Sequence, residues 1–83
     1  MPYVRMRDAL RRALVDESEP KQFALAPEDY DAFVAGDDGM KTCAPNGSWL
    51  FDTIPVIRQT TTATQSMLHV LPTRDGIGPF LLV

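Results

Sequence analysis

The chain has 83 residues, which leaves room for a single domain spanning 1–83. Hydrophobic residues make up 45% and charged residues 23%, both near globular averages, so the composition argues against disordered and fibrous classes. The formal net charge of −3 sets the chain against phosphate backbones and anionic lipid, which makes nucleic acid and membranes poor default partners.

The charge is unevenly placed. Residues 1–15 carry a net +3, residues 16–38 a net −7, and residues 39–83 a net +1. Cys43 is the single cysteine, so no intrachain disulfide can form and a reducing compartment is favoured. The first residues lack the unbroken apolar stretch of a secretory signal. No apolar run approaches the roughly 20 residues of a membrane span. The expectation is a cytoplasmic protein.

Residues 2–16 have the period of an amphipathic helix, with Tyr3, Met6, Leu10, Ala13 and Leu14 on one arc. Pro2 suits the first helical position, and Asp8 can pair with Arg12 one turn later. Ser18-Glu19-Pro20 ends the element, because proline steers the residue before it away from helical angles. Residues 21–25 alternate, placing Phe23 and Leu25 on one side of a short strand. Pro27 then opens a second helix, with Glu28, Asp29 and Asp31 near its N-terminus, where the helix dipole favours negative charge. Gly36 fits the left-handed position after its last turn.

From Met40 onward the pattern is that of strands. Pro45-Asn46-Gly47-Ser48 reads as the turn of a hairpin between Met40–Ala44 and Trp49–Asp52. Residues 54–57 continue as a strand that Pro55 confines to an edge or a bulge. Residues 66–71 and 77–83 form a further pair around Thr73-Arg74-Asp75-Gly76. The threonine-rich stretch 58–66 favours a strand on its β-branched residues, although a threonine there could also cap a helix. The fold expected is α+β: two short N-terminal helices packed on an antiparallel sheet of three to four strands.

No constellation of catalytic type stands out. Cys43, His69 and an acid supply the residue types of a thiol nucleophile, its base and an orienter, but the stronger reading is a packed cysteine and a partly buried histidine. One histidine and one cysteine cannot build a zinc cage, and the acids of 29–38 lack the alternation of a calcium loop. Gly76-Ile77-Gly78-Pro79 is turn chemistry, since the proline stands where a dinucleotide fingerprint starts a helix. No catalytic, cofactor or metal site is expected.

The function expected is that of a non-catalytic protein-binding module: an inhibitor, neutraliser or adaptor. Its contact with a basic partner surface would run through Glu28, Asp29, Asp31, Asp37 and Asp38, with Tyr30 as the aromatic anchor. The arginines of the first helix are expected to dock against this acidic segment. A first alternative is a homo-oligomer assembled through the apolar C-terminal strand. A second is nucleic-acid contact through the Arg-rich first helix.

Overall fold

In the computed structural model, which describes residues 2–60, 62–71 and 79–82, two helices lie against one face of a six-stranded mixed sheet. In chain order these are α1 (Tyr3–Val15), β1 (Glu19–Leu25), α2 (Pro27–Ala35), β2 (Lys41–Cys43), β3 (Trp49–Phe51), β4 (Ile54–Arg58), β5 (Met67–Leu71) and β6 (Phe80–Leu81). The sheet order is β2-β3-β4-β1-β5-β6. The class is α+β as expected, but the sheet is larger and mixed. Its first strand lies between the two helices in sequence and pairs in parallel with β4 and antiparallel with β5.

The expectation of an antiparallel sheet of three or four strands fails at β1. Read alone, residues 21–25 are a short apolar segment. Flanked by β4 and β5, the strand extends back to Glu19 and becomes the most buried of the sheet, with Phe23 and Leu25 at 0% exposure. The hydrogen bonds that fix this central place come from partners more than 30 positions downstream, so no local pattern encodes it.

The core lies between that sheet face and the helices. Tyr3, Met6, Ala9, Leu10 and Ala13 of α1 and Phe33 of α2 meet Phe23, Leu25, Phe51, Val56, Leu68 and Leu82. Four aromatic rings form its centre: Phe33 and Phe51 both pack against Tyr3, and Phe23 meets Phe51 edge-on. Such pairs add roughly 0.5–1.5 kcal/mol each beyond their buried area. The stripe on α1 differs from the expected one by a single exchange. Ala9 is buried and Leu14 is 70% exposed, because the buried arc extends past Ala9 and stops short of Leu14. Pro2 is the N-cap residue, one place before the helix.

The Pro45–Ser48 hairpin forms as expected, with Gly47 at φ 88° and Ala44 N–H bonded to the Ser48 carbonyl at 2.7 Å. A second hairpin joins β3 to β4 through Asp52 and Thr53, both left-handed at φ 51° and 66°. Tight hairpins need this backbone, which usually selects Asn-Gly. β4 is interior, contrary to the edge position expected from Pro55. The ladder accommodates the proline because Leu50↔Pro55 is a non-hydrogen-bonded pair on the β3 side, while pairing with β1 begins only at Val56. Its missing N–H therefore interrupts no ladder bond.

Residues 59–66, where a strand was preferred, contain no strand or helix among those described. β4 and β5 flank β1 on opposite sides, so the connection must cross the end of β1. Gln59 holds it there, donating from Nε2 to the carbonyls of Ala24 and Gln65. The C-terminal strand pairs with β5 inside the chain's own sheet, and Leu82 N–H bonds to the Ser66 carbonyl. The expected Thr73–Gly76 turn and the Gly76–Gly78 segment lie outside the described residues.

Candidate partner-binding surface

α2 carries four of the six residues expected to bind a partner, and neither of its ends is capped by its own side chains. Ala26 at the N-cap offers no side-chain acceptor. Ser66, 40 residues downstream, accepts from Ala26 N–H at 2.9 Å and donates its hydroxyl proton to the Asp29 carboxylate. At the other end Gly36 is extended (φ −86°, ψ −174°) rather than left-handed, so the usual glycine closure is absent. Two side chains from outside the helix replace it. The Tyr3 hydroxyl donates to the Phe33 carbonyl at 2.6 Å, and Lys41 Nζ donates to Val34 and Gly36 carbonyls at 2.7 and 2.6 Å. The ammonium also lies 4.6 Å from the centre of the Trp49 ring, a placement suited to a cation at the negative end of a helix dipole.

The arginines of α1 reach the acidic segment, as expected. Arg5 pairs with Asp29, and Arg7 with Asp38 at 2.6 Å. Arg11 and Arg12 both reach Asp8. Arg12 also donates to the Leu81 carbonyl and lies over the Phe80 ring, tying α1 to β6. These partners explain two displaced pKa values. The Arg7 hydrogen bond, helped by the Met40 N–H, holds the Asp38 carboxyl below its ordinary value. Burial, reinforced by Asp38 and Asp37, raises the Tyr3 phenol.

The six expected contact residues thus divide. Asp29 and Asp38 are half-buried and serve internal pairs. Tyr30 is half-buried against the core. Glu28, Asp31 and Asp37 are exposed. Only Asp31 of these three has a cation partner among the described residues: Arg58, at 3.7 Å. Glu28 and Asp31 are three residues apart on the outward face of α2, with exposed Val34 one turn further on. Sequence reasoning passed over Ser66, Lys41 and Gln59, which position this helix and its loop. One local signal was available for Ser66: a polar residue immediately ahead of the apolar run 67–71.

Cys43 and His69 are both exposed, which corrects the expectation of packed side chains. They belong to strands β2 and β5, four strand spacings or roughly 19 Å apart, so they form no nucleophile–base pair. Shallow concavities open to solvent lie along Val4, Arg7, Asp8 and Arg11, about 290 Å³, and at Asp37, Asp38 and Gly39, about 340 Å³. Among the described residues, no three His, Cys, Asp or Glu side chains group to hold a metal. None of the described helices is long and apolar enough to cross a membrane. No family model, curated protein or solved structure matches this chain.

Proposed function

We propose that the chain is a non-catalytic protein-binding module that recognises a basic surface on another protein through the outward face of α2. One observation carries the reading: Glu28, Asp31 and Asp37 remain exposed after the arginines of α1 have taken Asp29 and Asp38. The contact is therefore narrower than the acidic run suggests. Val34, 37% exposed, supplies an apolar centre between the acids. Tyr30, half-buried against the core, adds the part of its surface that stays in solvent. Asp29 and Asp38 act indirectly, by fixing the helix on its support.

Exposed carboxylates of this kind steer a basic partner and set the association rate. Their pull is screened beyond a Debye length of about 8–10 Å at physiological salt. The test is affinity capture from the source cells with wild-type chain and with the combined Glu28→Ala, Asp31→Ala, Asp37→Ala variant. The expected outcome is a basic protein that elutes as salt rises and that the variant fails to retain. Capture indifferent to both salt and the three substitutions overturns the reading.

A further inference from the structure

The two edges of the sheet are finished differently. On β2, Asp52 N–H bonds to the Met40 carbonyl and Ala44 N–H to the Ser48 carbonyl. Thr42 and Leu50, midway between, are therefore the hydrogen-bonded pair of this ladder. Lys41 and Cys43 turn their backbone groups away from β3, toward the open edge. Lys41 N–H is taken by the Asp38 carbonyl at 3.0 Å. The Lys41 carbonyl and the N–H and carbonyl of Cys43 have no backbone partner among the described residues. On β6 the Leu82–Ser66 bond makes Leu68 and Phe80 the bonded pair, so Leu81 faces outward. Its carbonyl accepts from Arg12 at 2.6 Å, and Pro79, the neighbouring outward position, has no N–H.

Edge strands are commonly blunted by proline or by a projecting lysine. The β6 edge has its proline and its arginine. β2 has Lys41, but that ammonium is drawn back onto the Val34 and Gly36 carbonyls and over the Trp49 ring. Thr42 and Cys43, both exposed, are left beside the open backbone groups. We propose that β2 takes an added strand from another protein: an extended segment with a basic residue beside Asp37.

The backbone argues for the occupant. One donor and two acceptors along an extended stretch match the alternating groups of a peptide main chain. An apolar body offers no partner to them, and an anion offers nothing to the two carbonyls. Charge fixes one end of the segment. Asp37 is exposed, without a cation partner among the described residues, and borders a concavity of about 340 Å³ with Asp38 and Gly39. The Asp38 carbonyl joins this concavity to the start of the edge through its bond to Lys41 N–H. At the other end Pro45 has no N–H to offer, so the added strand is short and weakly held. Asp37 is the one residue shared with the acidic face of α2. The backbone pairing does not depend on that face.

The probe is a capped hexapeptide, acetyl-Lys-Thr-Val-Thr-Val-Thr-amide, titrated into isotope-labelled chain and followed by amide NMR. Shifts are expected at Asp37–Ala44 and the facing β3 amides, saturating near about 1 mM, the scale of a few hydrogen bonds. Cys43→Pro removes the outward N–H without breaking a ladder bond to β3. It is expected to abolish the shifts while keeping the circular dichroism spectrum and melting transition, whereas Cys43→Ser binds as wild type does. Asp37→Asn is expected to weaken binding about twofold to fivefold. The pair Glu28→Ala, Asp31→Ala is expected to leave it unchanged, which separates this edge from the α2 reading. Methylating the peptide nitrogens probes the ligand alone: with the valines or the threonines methylated, one peptide is expected to bind and the other to fail. No shifts, shifts centred on β6, binding retained by Cys43→Pro, or both methylated peptides binding alike overturns the proposal. So does self-association of the chain that Cys43→Pro removes, which would assign the edge to a second copy.

Discussion

Tyr3 shows how much one side chain can hold. Its ring packs between Phe33 and Phe51, and its hydroxyl closes the Phe33 carbonyl at the end of α2. Removing that donor leaves a buried carbonyl without its partner, a loss of about 1–3 kcal/mol. The same burial, together with Asp38 and Asp37, raises its pKa above the ordinary 10.0. The folded state therefore holds the proton more tightly than the unfolded chain. Stability from this group is complete below pH 10 and declines as pH rises through the elevated value. Asp38 has the opposite sign. Its carboxyl lies below the ordinary 3.8 because Arg7 and the Met40 N–H bond to the charged form. Its contribution is present above that value and declines as pH falls through the lower one. A urea-melt series across pH is expected to show both limits. In Tyr3→Phe the alkaline decline is expected to shrink, while the acid decline is retained; an unchanged alkaline limb would refute the assignment.

At the scale of elements, short pieces depend on distant parts of the chain. α2 has nine residues, too few to persist alone in water, where even good sequences need about 12–15. Ser66 and Asp29 hold its first turn, Tyr3 and Lys41 its last, and all but Asp29 come from outside the helix. β3 and β4 meet through Asp52-Thr53, where a β-branched residue is held at φ 66°. That conformation is strained for threonine and open to glycine. Thr53→Gly is therefore expected to stabilise the fold by about 1 kcal/mol, read as a higher urea midpoint with an unchanged slope. A lower midpoint would show that the Thr53 side chain contributes more than its backbone strain removes.

For the whole molecule, the last strand tests how the core is divided. β6 is an edge strand of two residues, yet it is joined to α1 through Arg12 and to the loop before β5 through the Leu82–Ser66 bond. Phe80 packs against the core and Leu82 is 7% exposed. Burying each large apolar side chain is worth about 1.5–3 kcal/mol, a large part of the roughly 5–15 kcal/mol that holds a domain together. Deleting residues 80–83 is expected to abolish the cooperative melt seen by circular dichroism. A native-like spectrum with an intact transition would show that β6 is dispensable to the monomer.

The sequence determined what depends on neighbours a few residues apart. The period of 2–16 wrote α1, the Asn46-Gly47 turn wrote the β2–β3 hairpin, and Pro27 wrote the start of α2. It also foresaw that the arginines of α1 would meet the acidic segment, because opposite charges of that density in so short a chain have few other partners. Tertiary structure decided the rest. It put β1 at the centre of a mixed sheet, since strand order is fixed by hydrogen bonds between segments far apart in sequence. It selected which acids stay exposed: Asp29 and Asp38 pair with Arg5 and Arg7, whereas Glu28 and Asp37 have no cation partner among the described residues. It separated Cys43 from His69, and it left Ile57 and Leu81 exposed on the sheet face opposite the helices. A strand's alternation names its two faces; only the packing of helices determines which one is buried.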